Sequence, residues 1–254
     1  MILAWNTFFG ALEVVLGVFV LYMVVPWAAK SLLRKRFLNR ISGSECVCLT
    51  FDDGPDPRAT PEILRLLSHS RVRATFFLLG QNVEKYPHLV LQMVQMGHEV
   101  GDHGYRHTHP WRSWPFGSLH DLIRGAQAVN AYVRSGRPLL VRPPYGKLNV
   151  VTLLYVLICR KRLAFWDIDP KDYEHESPEL VVRYVRERVV PGSIVLLHDG
   201  RRNGTGSPHV TVSAVGAILE EMVSRGFRFA TVSESLRDAS RKRKGALEQG
   251  RSKG

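Results

Sequence analysis

Cysteine is scarce in this chain, three in 254 residues, and Cys46 and Cys48 sit too near in sequence to bridge comfortably along one strand. A disulfide framework is therefore excluded, and the three thiols read as core or membrane-facing groups that fit a reducing compartment. No segment repeats at a period of 20–50 residues, which excludes a solenoid. Acidic residues are outnumbered, 23 against 35 lysines and arginines, for a net charge of +12. The basic clusters at the two ends of the chain lack the interleaved aromatics of a single-strand binder, so no nucleic-acid partner is expected. They read instead as attraction to anionic lipid. The N-terminus has neither a basic leading region nor a small-residue cleavage site, so it does not read as a cleaved signal peptide.

One long apolar run is present. Residues 8–29, "FFGALEVVLGVFVLYMVVPWAA", carry a single charge, Glu13, and match the about 20 residues that a membrane-spanning helix needs. Glu13 is expected near an interface or against a partner, because a carboxylate at mid-bilayer costs a few kcal/mol. The flanking positive charge, Lys30, Arg34, Lys35, Arg36 and Arg40, all follows the run. The positive-inside bias then places the following domain in the cytoplasm, with an extracytoplasmic domain as the alternative. The expected organisation is a membrane anchor over 1–30, a basic linker over 31–44, a catalytic domain over 45–236 and a basic flexible tail over 237–254.

Within the central domain short apolar runs alternate with helical patterns. Strands are predicted at 46–51, 74–79, 99–102, 139–142, 163–168, 193–197 and 227–232. Helices are predicted at 61–68, 83–96, 119–133, 150–160, 178–189 and 210–224. Pro61 and Pro178 suit first-turn positions, each after a Thr or Ser able to cap. Strand alternating with helix implies an α/β fold with a parallel sheet, either open and doubly wound or closed as a barrel.

Polar residues gather at the C-terminal ends of these strands, on the rim where α/β barrels carry their active sites. The first strand ends in Asp52 and Asp53, the third runs into His103 and His107, and "RPPYG", "DIDPKDY" and "LLHDG" follow the next three. Two imidazoles four residues apart with one of the paired aspartates make a three-ligand metal site with open positions. The metal would neutralise one carboxylate and leave the other free to take a proton. His98 and His109 fall outside this spacing and read as structural.

"TFDDGP", "HGYRH", "RPPYG", "DIDPKDY" and "LLHDG" together resemble, in order, the five motifs of the polysaccharide deacetylase family with the NodB homology domain, a carbohydrate esterase family 4-like group. The resemblance spans about residues 47–232. It implies a distorted, incomplete (β/α) barrel of about seven parallel strands, here preceded by one membrane helix. It also implies one divalent metal, zinc first with cobalt, nickel or iron as alternatives, and removal of acetyl from N-acetylated sugars. Carried onto these positions, Asp53, His103 and His107 hold the metal, Asp52 is the general base toward a metal-bound water, and His198 is the general acid. Arg142 tunes Asp52, Asp172 orients His198, and the Tyr145 backbone N–H stabilises the oxyanion. Tyr173 and Leu196 line the acetyl pocket.

Three departures stand out. Gly104 occupies the place of a bracing Ser or Thr, so a looser metal loop is expected. Tyr173 stands where Trp is usual, which leaves the acyl group open. The run 148–159 has almost no polar face and is followed by "RKR", a pattern that suits lying at a bilayer surface. Trp111 and Trp114, beside the second motif, are expected to stack on sugar rings or to dip into lipid. The expected activity is deacetylation of an N-acetylated saccharide at the membrane, on a lipid-linked saccharide or glycolipid. Cell-surface polysaccharide is the alternative substrate, and a silent carbohydrate-binding relative the alternative class.

Overall fold

A computed structural model describes residues 2–32, 37–133, 139–200 and 208–251 of the chain. Among them, strands β1 (Phe37–Leu38), β2 (Cys46–Asp52), β3 (Thr75–Leu78), β4 (Glu99–Asp102), β5 (Leu140–Val141), β6 (Arg162–Ala164), β7 (Ile194–His198) and β8 (Arg228–Phe229) make one sheet. Every pairing is parallel, in the order β1-β6-β5-β4-β3-β2-β7, with β8 beside the first residues of β2. A bridge between Ile168 and Val195 draws the segment after β6 toward β7, so the sheet curls into an incomplete barrel. The expected α/β class and parallel curl are therefore present.

The helices are α1 (Ile2–Phe19), α2 (Val25–Leu32), α3 (Thr60–His69), α4 (Gly80–Lys85) and α5 (Pro87–Gln95). They continue with α6 (Pro115–Asn130), α7 (Val150–Ile158), α8 (Pro178–Arg188), α9 (Pro208–Ser224) and α10 (Val232–Arg251). The run expected as one helix over 83–96 is divided at Pro87, which has no N–H to continue the ladder and starts its own helix. Pro61 and Pro178 do open helices, but neither neighbouring hydroxyl caps one. Thr60 instead donates to Asp199, 2.6 Å away, for a reason tied to the site.

β2 is buried on both faces beyond its first residue, as a strand covered by helices must be. Val47, Leu49 and Phe51 pack outward with Ile63 and Leu64 of α3 and Ile218 of α9. Phe51 stacks on Phe76 at 5.0 Å, and its burial contributes on the order of 2 kcal/mol. Cys48 points inward with Phe77, Leu140 and Ile194, and burial pushes its thiol up to about 12. The same alternation aims Thr50 and Asp52 into the barrel above Cys48.

The N-terminal expectation is not met as a single span. A π-helical turn, Val20–Val24, separates α1 from α2, and no helix among the described residues is long and apolar enough to cross a membrane. Pro26 lies just beyond that turn and offers no N–H to the preceding carbonyls, which accounts for the break. Tyr22 in the turn donates to the carbonyls of Pro110, at 2.9 Å, and Ser113, fastening this segment to the central domain. Arg34, Lys35 and Arg36 of the basic linker lie outside the described residues. The segment expected as a flexible tail is helical through Arg251 as part of α10. There Leu236 and Ala239 pack against the barrel interior and Lys242 pairs with Glu45.

Candidate active site

Asp52 closes β2, and Asp53 follows it in a left-handed conformation, φ 69°. The turn is held from two sides. Asn82 donates its side-chain amide to the Asp53 carbonyl at 2.9 Å, and Gly200 approaches so closely that a Cβ there would stand 2.0 Å from that carbonyl oxygen. Glycine after Asp199 is a steric requirement of the turn.

His103 follows β4. Its Nδ1 lies 2.7 Å from the Arg142 carbonyl, a contact that fixes the ring tautomer and turns Nε2 toward the carboxylates. From Nε2 to Asp53 Oδ1 is 3.5 Å, and from His107 Nε2 to the same oxygen is 3.4 Å. The ligand atoms of Asp53, His103 and His107 all lie within 4.8 Å of one another. Ligand bonds of about 2.0–2.2 Å in a tetrahedral site put neighbouring donors about 3.3–3.6 Å apart, so two nitrogens and one oxygen here fit a zinc-like ion. This observation answers which of the paired aspartates faces both histidines: Asp53.

Asp52 reaches only one of the histidines, its Oδ2 3.5 Å from His103 Nε2, and turns Oδ1 to Arg142. The fully buried guanidinium donates to Asp52 Oδ1 at 2.7 Å, to Thr50 Oγ1 at 2.8 Å, and to the carbonyls of Ala164 and Phe165 at 3.0 and 2.9 Å. It also stacks over the Phe77 ring, 4.1 Å from its centroid. Arg142 is thus an interior residue of the barrel, with its charge wholly spoken for. Burial pushes the Asp52 carboxyl above the usual carboxylate range, while the charge of Arg142, and less that of His198, works the other way.

Across β2, His198 is the strand partner of Asp52. Asp172 takes the His198 ring at Nδ1, 2.8 Å, and accepts the His198 backbone N–H at 2.9 Å and the Thr211 hydroxyl at 2.7 Å. The other carboxylates of the same loop are occupied elsewhere. Asp167 accepts from Ser193 and from the Ile194 backbone, and Asp169 from the Lys171 backbone. Burial alone would lower the imidazole, but the charge and hydrogen bond of Asp172, with Asp53 and Asp52 behind it, raise it to about 10. A divalent cation on Asp53 would offset part of that rise.

The rim residues divide. Tyr145 sits in a left-handed conformation, φ 60° and ψ 10°, its ring against His107 at 4.5 Å and His109 at 4.3 Å. Tyr173 packs edge-on to His198 at 4.9 Å, and Leu196 lies buried on the same strand face as His198, two residues upstream. Trp111 is fixed by its indole N–H to the Leu148 carbonyl at 2.8 Å. Trp114 is 73% exposed beside Phe116, and none of the described contacts ties it to the cluster.

The looser metal loop expected from Gly104 is not what the geometry gives. Asp121 of α6 holds the loop through the backbone N–H groups of Tyr105, Arg106 and Thr108. Sequence reading missed Asp121, Thr211 and the Thr60–Asp199 pair beneath the Asp53 turn. A signal existed for two of them. Asp121 shares a buried stripe with Ser118, Leu122 and Gly125, and Thr211 one with Ala214 and Val215, and a polar residue on an apolar stripe marks a buried partner.

The polysaccharide deacetylase family model matches residues 39–158. A peptidoglycan-N-acetylglucosamine deacetylase of Bacillus cereus is 36% identical over 198 residues, covering 77% of this chain and 90% of that protein. A chitooligosaccharide deacetylase of Bradyrhizobium is 33% identical over 200 residues, covering 76% of this chain and 91% of that protein. Among solved structures, the peptidoglycan deacetylase PdaC from Bacillus subtilis superposes with a TM-score of 0.70 at 30% identity, covering 82% of this chain and 97% of that one.

Proposed function

The chain belongs to the polysaccharide deacetylase family, and from that premise we propose that it removes acetyl groups from N-acetylated amino sugars of a cell-surface polysaccharide, of peptidoglycan or chitin-like type. The observation that carries the reading is the opposed pair around the metal cluster: Asp52 held by Arg142 on one strand, His198 held by Asp172 on the next. Asp53, His103 and His107 would hold a divalent metal, which would supply Lewis-acid polarisation of the amide carbonyl and a more acidic attacking water. Asp52 accepts that water's proton, and Arg142 favours the charged carboxylate against burial and holds it in place. The Tyr145 backbone N–H steadies the oxyanion. The C–N bond then breaks, and His198, kept protonated by Asp172, gives its proton to the departing amine, leaving acetate and a free amino sugar. Tyr173 and Leu196 border the acetyl methyl.

Release of acetate from chitooligosaccharide and from peptidoglycan, with zinc and with chelator, tests the reading against Asp52→Asn. Chelator-sensitive release that the substitution removes is the expected result. Zinc-loaded protein that deacetylates neither polymer nor a lipid-linked N-acetylhexosamine would refute it. Release from the lipid-linked acceptor alone would instead favour a precursor or glycolipid substrate.

The membrane reading rests on exposed apolar surface. Phe9, Leu12, Val14, Val15, Leu16, Val18 and Phe19 are all exposed around α1, and a helix apolar on every side is suited to lipid. Leu154 and Ile158 of α7, the latter 78% exposed, add a second apolar face next to Arg160 and Lys161, and Trp114 and Phe116 a third. We place the domain at a bilayer on these grounds, on the extracytoplasmic side that a wall polymer requires. Flotation with phosphatidylcholine–phosphatidylglycerol vesicles checks it. Substituting Leu12, Val15, Leu16 and Phe19 together by Ser should abolish flotation, and unchanged flotation would remove the role of α1.

A further inference from the structure

We propose that Asp121 is a positioning residue for the metal: its carboxylate gathers the loop between His103 and His107 and sets where His107 presents its nitrogen. The inference rests on the metal reading above and adds to it a residue outside the five motifs.

The loop between the two histidines is unusual in its backbone. Gly104 lies at φ +81° and His107 at φ 62°, so two of its five residues are left-handed, one of them bearing a full side chain. A histidine holds such a conformation only when its surroundings impose it. Here the imposition is visible. Asp121 Oδ1 accepts from Arg106 N at 2.8 Å and from Thr108 Oγ1 at 2.9 Å, and Oδ2 from Tyr105 N at 3.1 Å and Thr108 N at 3.3 Å. Residues 106 and 108 flank His107, so one buried carboxylate draws the chain together on both sides of the ligand. Two carboxylate oxygens offer about four lone-pair positions, and four donors take them.

The same carboxylate explains Gly104. A Cβ at that position would stand 2.4 Å from Asp121 Oδ2, and a Cβ at Gly125, one helical turn along α6, would stand 2.4 Å from the carbonyl carbon of Gly104 and from Asp102 Oδ1. The two glycines let α6 press its backbone onto the loop, and Asp121 occupies the space that a side chain at 104 would fill. Gly104 and Asp121 therefore form a matched pair, in which the brace reaches the loop from a neighbouring helix.

Zinc affinity measured by competition with a fluorescent chelator reads this directly, without recourse to catalysis. Asp121→Asn keeps the shape but turns an amide NH2 toward N–H donors. It should weaken zinc binding by about 10–100-fold, as loss of a partner that orients a ligand does, while the metal-free protein keeps its far-ultraviolet spectrum and stays folded, melting lower because buried N–H groups lose an acceptor. Thr108→Val, which removes only the hydroxyl donor, should weaken binding by a smaller factor in the same direction and serves if the first variant does not fold. Gly104→Ala should be costly to zinc affinity in the wild-type background and clearly less costly beside Asp121→Ala, because the blocking oxygen is gone. Equal zinc affinity in wild type, Asp121→Asn and Thr108→Val, or full additivity of Gly104→Ala with Asp121→Ala, would overturn the brace while leaving the metal site intact. Wild-type protein that takes up no zinc would overturn both.

Discussion

Two dyads stand side by side at the ends of the neighbouring strands β2 and β7, and they are built in opposite senses. On one, a carboxylate is held by a buried cation: Asp52 by Arg142, in the interior of the barrel, with backbone carbonyls and an aromatic ring completing the cage. On the other, an imidazole is held by a buried carboxylate: His198 by Asp172, with the imidazole itself partly open to solvent at the rim. The side proposed as base is closed, and the side proposed as acid is anchored from behind but open in front. That difference suits the two proton transfers proposed. A water needs little room and must be aimed, whereas the departing amine carries the rest of a saccharide. Closure also decides what each dyad risks when broken, since a charge left alone inside a barrel has no water to turn to, while one at the rim has.

The largest expected effect comes from breaking the closed side. Arg142→Met strands Asp52 in the interior, and the loss of a buried partner costs about 3–5 kcal/mol of stability. Burial pushes the Asp52 carboxyl up and Arg142 works against that push, so removing Arg142 sends the group further up and disfavours the charged carboxylate. A fall in melting temperature together with loss of acetate release is expected. The corresponding change on the open side, Asp172→Asn, should cost distinctly less stability. Chemical denaturation of both variants compares the two, and equal losses would erase the distinction between a closed and an open dyad.

Next in size is Asp52→Asn, which removes the base but keeps its shape and its hydrogen bond to Arg142. Turnover of chitooligosaccharide should fall by about 10²–10⁴-fold, the usual contribution of a general base. Zinc uptake should be retained, because Asp53 and not Asp52 lies against both histidines. Loss of zinc in this variant would show Asp52 to be a ligand, and would move the base elsewhere.

The acid side is sharpened by pH. Asp172, with Asp53 and Asp52, raises His198 to about 10 against the lowering effect of burial. An acid with a raised pKa stays protonated through neutrality and loses its proton only on the alkaline side. Removing the Asp172 charge lowers that pKa, so the alkaline limb of kcat/KM in Asp172→Asn should move to lower pH, with the acid limb little changed. An alkaline limb that stays in place would show that another group donates the proton.

These dyads were legible to different degrees. Asp52, Asp53, His103, His107 and His198 could be found because strand ends bring sequence-distant residues to one rim, and short motifs at strand ends are visible in a string of letters. Asp172 was singled out from Asp167 and Asp169 by the resemblance alone, because all three fall within one loop and only the path of the chain separates them. Asp121 and Thr211 were hidden because each acts from the buried face of a helix that is otherwise read as packing. The two-residue strand β1 escaped notice since it sits within the expected basic linker with no alternation to betray it. The apolar run over 8–29 was read from composition alone, and composition carries no record of the π-turn at Val20–Val24 or of Tyr22 reaching Pro110.

The smallest expected effect is at the open front of the acid side, and it bears on which acyl group is removed. Tyr173 is more than a third exposed and meets His198 edge to face, so it can change size without disturbing the imidazole–Asp172 contact behind. Tyr173→Trp should leave deacetylation within about threefold of wild type and reduce the space beside the acetyl methyl. One extra methylene in an apolar pocket is worth about 1–3 kcal/mol of discrimination. The ratio of kcat/KM for N-acetyl over N-propionyl chitooligosaccharide should therefore rise in Tyr173→Trp and fall in Tyr173→Ala. A parallel substitution at Leu196, buried on the same strand face, should change that ratio only at a cost in stability as well. If the ratio ignores Tyr173 but follows Leu196, the acyl group rests against the strand and the aromatic serves only to hold His198. The open front would then be a passage for the sugar and not a gauge of the acyl chain.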